Sequence, residues 1–366
     1  MREHPILKLL QRAVQKDASD VHLKTGSPPY FRVDGQVNPE GNSLLGKDDL
    51  DSFLDIILTD EQKRYFAKKG ELDLSYTEKG VGRFRVNVFR QRGTVSCVLR
   101  RIKSKILTFD QLHLPPVVES FARISRGLIL ITGTTGSGKS TALASIIDYI
   151  NENRRCHIVT IEDPIEYVHT DKLSVVNQRE ITIDTQDFAS ALKAVMRQDP
   201  DVILIGEMRD LETFMAAISA AETGHLVFST LHTTNVLQTV DRIIDLFPSN
   251  QHDQVRSALA LNLRAIMCMR LLSRADGVGR VPACEVMFNT PTVRMLIKEN
   301  RVNQLEMAIQ QGREDGMQGF NDSLHDLIRQ GLISLQTAID VSDNPADLKM
   351  MLQGIRLSAK RGGILK

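Results

Sequence analysis

The segment GTTGSGKS at residues 133–140 constrains this chain more than any other part of it. It follows a short apolar run, Leu128–Thr132, and precedes a helix expected from Ser140. That is the strand–loop–helix setting a phosphate-binding GxxxxGK[ST] loop requires. Gly133, Gly136 and Gly138 let backbone N–H groups converge on phosphate oxygens where side chains would obstruct them. Thr134, Thr135 and Ser137 complete the loop, and the following helix turns the positive end of its dipole to the same oxygens. Lys139 is expected to neutralise the β- and γ-phosphates, Ser140 to ligate Mg²⁺, and Thr141 to join in holding phosphates and metal.

Beyond the loop, His157–Ile161, Val202–Ile205 and His225–Thr230 are further short β-rich runs separated by helical stretches. Strands alternating with helices predict a parallel sheet covered on both faces. From about Leu237 the chain reads as mostly helical, including a helix around Val255–Leu272 and another at Lys349–Ser358, before a basic Lys360-Arg361 tail.

Two acids follow predicted strands and suit hydrolysis. Asp201–Glu207 is an apolar strand ending in Glu207, which a doubly wound sheet would place at its carboxyl edge beside the phosphate loop. The usual Asp-Glu pair is absent because Gly206 holds the first position, leaving Glu207 to bind the Mg²⁺ shell through water. Glu162 follows the run ending at Ile161 and could accept the proton of an attacking water. Glu166, four residues on, is equally a solvated carboxylate, and base and metal roles stay open between Glu162 and Glu207.

Before Pro115-Pro116 the grammar differs. Ile6, Leu9, Leu10 and Ala13 make a helical stripe, and Asp34-Gly35 signals a hairpin. A helical stretch over Lys47–Lys69 leads to Phe84, Val86 and Val88 alternating with polar residues, then to Val95–Ile102. Residues 1–112 read as a small α+β domain, 113–117 as a linker in which two prolines stop regular structure, and 118–366 as the nucleotide domain.

Composition narrows the rest. The chain has 366 residues, with 46 basic and 45 acidic side chains, so no polybasic coat directs it to nucleic acid or anionic lipid. It lacks tryptophan, which counts against a base-stacking surface. No apolar run reaches the ~18–20 residues of a membrane span. Four scattered cysteines without a CxxC pair fit reduced thiols, so a cytoplasmic protein is expected.

Four ordered segments carry a resemblance: ASDVHLKTGSPPYFRVDG (18–35), IEDPIEYVH (161–169), RQDPDVILIGEMRD (197–210) and AETGHLVFSTLHTTN (221–235). Together they resemble the PilT/GspE family of secretion and pilus ATPases over nearly the whole chain. The resemblance implies a RecA-like P-loop ATPase domain with a parallel-rich sheet, preceded by a PAS-like α+β sensor domain. It implies ATP and Mg²⁺, a homohexamer, and a pilus platform protein at the inner membrane face. His225 and His232 would then sense the γ-phosphate, whereas from the residues alone they are equally structural histidines. Arg85 and Arg100, in an arginine-rich hairpin, would approach the nucleotide when domains close.

Within the family the chain is most similar to the retraction branch, with an accessory retraction motor, working beside a paralogous ATPase, as alternative. Thr292–Glu299 corresponds to that branch's AIRNLIRE segment, keeping Arg294, Leu296, Ile297 and Glu299. Rival readings are an extension or type II secretion ATPase, which would add an N-terminal domain and a four-cysteine zinc site, and an ATP-gated scaffold with little turnover.

Overall fold

The computed structural model describes residues 4–33, 35–102 and 105–354. Asp34 of the expected turn and the Lys360-Arg361 tail lie outside them. The chain divides into two compact units, one of residues 1–105 with 166–168 and one of 106–165 with 169–366.

The first unit holds a six-stranded antiparallel sheet: β1 (Asp20–Lys24), β2 (Tyr30–Val33), β3 (Gln36–Pro39), β4 (Glu71–Glu78), β5 (Gly82–Gln91) and β6 (Thr94–Ile102). Its order is β3-β2-β1-β6-β5-β4. The helix Pro5–Gln15 buries the stripe Ile6, Leu9, Leu10 and Ala13 read from the sequence. These pack with Leu50, Phe53, Val21, Leu23, Phe84, Val86, Val88, Cys97 and Leu99 in one core. The stretch Lys47–Lys69 is two helices, Lys47–Ile57 and Asp60–Lys69, because Thr59 begins the second. Its hydroxyl accepts from Gln62 N–H while the Gln62 side chain accepts from Thr59 N–H, a reciprocal cap.

The second unit is built on a seven-stranded sheet: β7 (Gly127–Thr132), β8 (His157–Glu162), β9 (Val175–Glu180), β10 (Val202–Ile205), β11 (Leu226–Leu231), β12 (Leu263–Ser273) and β13 (Arg280–Phe288). The order is β13-β12-β7-β11-β10-β8-β9, and only β12–β13 is antiparallel. Alternate residues of the central strands serve opposite cores. Leu128, Leu130, Val159, Ile161, Ile203 and Ile205 face one layer of helices. Ile129, Ile131, Ile158, Val202 and Leu204 face another, packed with Ala142, Leu143 and Ile146. Burial on both faces is why these strands read as continuous apolar runs.

The second half departs from the expected helical region. The helix His252–Asn262 ends where β12 begins, so Leu263–Ser273 is a strand, not the continuation to Leu272 that the sequence suggested. Beyond it, β13 is also a strand. The run LRAIMCMRLL is apolar at nearly every position, so it carries neither the helical nor the strand period; parallel pairing with β7 decides it. The division between units falls before Ile106, ahead of the proline segment. Phe109 and Leu112 already pack on the second unit's core, and Leu114 is buried in it. No described helix is long and apolar enough to cross a membrane.

Candidate active site

Four neighbouring strands, β7, β11, β10 and β8, deliver their carboxyl ends to one edge, and backbone hydrogen bonds tie those ends in series. Gly133 N–H donates to Leu231 C=O (3.3 Å), Met208 N–H to Thr230 C=O (3.2 Å) and Gly206 N–H to Ile161 C=O (2.8 Å). The phosphate loop, Glu207 and His232 follow three of these strands and Glu162 ends the fourth, so all four share an edge.

The loop is shaped to cradle an anion. Gly133 sits at φ +146°, and a Cβ there would lie 2.5 Å from Met269 C=O and 2.4 Å from Ser137 Oγ, so no side chain fits. Ser137 Oγ is buried without a hydrogen-bond partner among the described residues. The helix Lys139–Asn153 starts behind Gly138 with no side-chain cap. By contrast Asp210 caps Leu211–Glu222 and Asn235 caps Val236–Ile244. The uncapped amides and the orphaned hydroxyl are donors suited to phosphate oxygens. Lys139 is 8% exposed, and its ammonium folds over the loop to Gly133 C=O (2.8 Å) and Thr134 C=O (3.0 Å). Thr134, Thr135 and Gly136 lie exposed at the loop tip, with Ser140 and Thr141 half-buried in the first helical turn.

Gly206 has a structural reason. A Cβ on it would stand 3.3 Å from both Glu162 Cα and Ile161 C=O, so the absent side chain lets β10 and β8 close up at their ends. Glu207, two residues past β10, and Glu162, the last residue of β8, thus lie beyond neighbouring strand ends. Glu207 is mostly buried and makes an ion pair to Arg209 (2.6 Å), with His232 Nε2 at 3.5 Å from its other oxygen. Glu162 Oε1 accepts from Thr160 Oγ1 (2.6 Å) and Gln178 Nε2 (3.2 Å).

The structure separates other candidates. His225 stands at the amino end of β11, about 20 Å along the strand from His232 by its rise per residue. Its Nδ1 meets Ala220 C=O (2.9 Å) and Thr223 Oγ1 (3.1 Å), ties that belong to the preceding helix end. Glu166 is exposed and falls with the first unit. Arg85 and Arg100, both exposed, are directly opposed in register on β5 and β6. Arg100 Nε donates to Asp20 (2.8 Å), whose carboxyl is buried. Burial alone would push Asp20 up, but hydrogen bonds from Arg100 and Ser19 and the charges of Arg100 and Arg32 hold it below its ordinary value. No cluster of three or more metal-ligating side chains occurs among the described residues.

Gln178, Thr160 and Arg209 were not legible as site residues. Gln178 lies on β9, which gave no strand signal because it is partly exposed at the sheet edge. Arg209 stood two residues beyond Glu207, but only the fold turns it back onto the carboxylate.

Residues 2–340 match the family described as type II/IV secretion system protein. The chain belongs to that family. It is 45% identical over 340 residues to the type IV pilus retraction ATPase PilT of Pseudomonas aeruginosa, covering 93% of this chain and 98% of that protein. The type IV pilus ATPase PilU of the same organism is 42% identical, covering 94% of this chain and 91% of PilU. A twitching motility protein of Neisseria gonorrhoeae is 43% identical, covering 92% of this chain and 90% of its own length. A crystal structure of the pilus retraction motor PilT with bound ADP superposes with a TM-score of 0.88 at 45% identity, covering 95% of this chain and all of that one.

Proposed function

We propose that this protein is an ATP-hydrolysing motor that powers retraction of type IV pili, working as a homohexamer at the cytoplasmic face of the inner membrane. One observation carries it. A phosphate loop, two carboxylates and His232 meet at one sheet edge, in a chain that matches PilT along nearly its full length.

Backbone amides of Gly133, Thr134, Thr135, Gly136, Ser137 and Gly138 bind the phosphates, and Lys139 exchanges its two loop carbonyls for β- and γ-oxygens. Mg²⁺, when bound, neutralises phosphate charge; the Ser140 hydroxyl would hold it directly and Glu207 through water. Thr141 lines the same helical turn. Glu162, its Oε1 fixed by Thr160 and Gln178, accepts the proton of the attacking water. His232 reads the γ-phosphate through Glu207.

Arg85 and Arg100 complete the site of a neighbouring subunit. Like charges directly opposed on a sheet destabilise it, and Asp20, the acid beside Arg100, is shared with Arg32 (3.5 Å), so the arginine pair keeps positive charge to offer a phosphate. A platform protein in the membrane receives the work.

Mg²⁺-dependent turnover of the purified protein tests the enzyme. Pilus counts in a deletion strain, complemented with wild type or Glu207→Ala, test the biology. Excess pili corrected only by wild type support retraction, while lost pili mean extension. The similar identity to PilU supports one second reading, an accessory motor beside a paralogous ATPase, for which unchanged pili are expected.

A further inference from the structure

Behind the active edge, Thr132, Cys268 and Glu285 lie side by side across β7, β12 and β13, paired in register. Thr132 Oγ1 donates to Cys268 Sγ (2.9 Å), and Cys268 stands directly opposite Glu285 in the β12–β13 register. Glu285 Oε2 accepts Val236 N–H (2.7 Å), at the start of the helix Val236–Ile244. Thr239, fully buried on that helix, donates to Asn235 C=O (2.7 Å) and so receives the Thr233 hydroxyl (2.7 Å) as acceptor. Thr132 immediately precedes the phosphate loop and Thr233 immediately follows His232. None of these groups touches the proposed reacting atoms, yet their bonds connect the two segments that do.

We propose that Glu285 and Thr239 are positioning residues: they lock the helix Val236–Ile244 against β12 and β13 and so fix His232 and the loop entry relative to each other. The proposal rests on the ATPase reading. Accepting the Val236 amide and facing a helix N-terminus both favour the ionised carboxylate. Burial nonetheless pushes Glu285 up to about 7, against the Val236 amide and the Arg270 charge. Arg270 and Cys268 face it from β12. Asp343 faces it from the chain before the helix Pro345–Leu352, and Glu306, Arg313, Asp322 and Asp347 line the cavity of about 650 Å³ that it borders. Arg270 bonds Asp343 (2.7 Å) and Arg313 bonds Asp322 (2.5 Å), so both cations are shared.

The test is steady-state ATP turnover by the full-length protein from pH 6 to 8.5, with melting temperature measured alongside. For Thr239→Val and Glu285→Leu, kcat falls about fivefold or more while KM stays within about twofold. Thr239→Ser keeps most of the wild-type kcat. In wild type kcat rises as pH passes 7, and in Glu285→Gln that rise is absent. Lower melting temperatures with kcat unchanged per folded protein overturn the proposal, as does an identical pH profile for wild type and Glu285→Gln. Wild type without turnover removes the ATPase reading, and this proposal with it. Turnover in wild type that the Thr239 and Glu285 substitutions leave untouched removes this proposal alone.

Discussion

At Gly133 the geometry leaves no room for compromise: a Cβ would press on Met269 C=O, which belongs to β12 and is fixed by its pairing. Gly133→Ala should destabilise the fold by about 1–3 kcal/mol and weaken nucleotide binding more than about tenfold, read by urea unfolding and by titration with a fluorescent ATP analogue. Glu285 makes a different prediction. Its folded value near 7 lies above the ordinary carboxylate value of 4.5, so the fold favours the protonated form. The stability this gives is complete below about pH 4.5 and lost as pH rises through 7, a swing of roughly 3 kcal/mol. Glu285→Gln should therefore gain on wild type in unfolding free energy between pH 5 and 8. Asp20 runs the other way. Its lowered value makes its contribution full above the ordinary carboxylate range, to be lost in acid as pH falls through the folded value.

At the scale of the element, helix starts are set by local chemistry and strands by their neighbours. The Thr59 cap is an example of the first. Thr59→Ala should cost about 1 kcal/mol and lower the unfolding midpoint of the N-terminal unit, with no loss of ATP turnover. β12 is an example of the second. Its sequence tolerates a helix, and only the row of hydrogen bonds to β7 on one side and β13 on the other makes it a strand. The helix Pro291–Lys298 covers most of the Thr292–Glu299 segment and buries Val293, Leu296 and Ile297, leaving Arg294 and Met295 exposed. Two of the family positions kept here, Leu296 and Ile297, are thus packing residues, whereas Arg294 is available at the surface.

For the whole molecule, each unit has its own core, and nucleotide contacts are expected in the second through Lys139. Saturating ATP at about a hundred times its dissociation constant should stabilise the protein by about 2.7 kcal/mol, and Lys139→Ala should abolish that gain in a thermal melt. What the sequence determined by itself was local. The phosphate loop announces itself because glycines, lysine and serine at fixed spacing have few other uses, and the Pro5–Gln15 helix because its apolar stripe has one period. The central strands were legible as apolar runs bounded by turns, and the likeness to secretion and pilus ATPases rode on the same contiguous segments. The tertiary structure decided the relations between segments. It put β10 next to β8, so that Glu207 and Glu162 share an edge with Gly206 between them. It sent His225 and His232 to opposite ends of β11, opposed Arg85 to Arg100, and gathered Thr132, Cys268 and Glu285 into one row. Such neighbours come from strand pairing between residues far apart in the chain, and a strand buried on both faces leaves no periodic trace of which partner it will take.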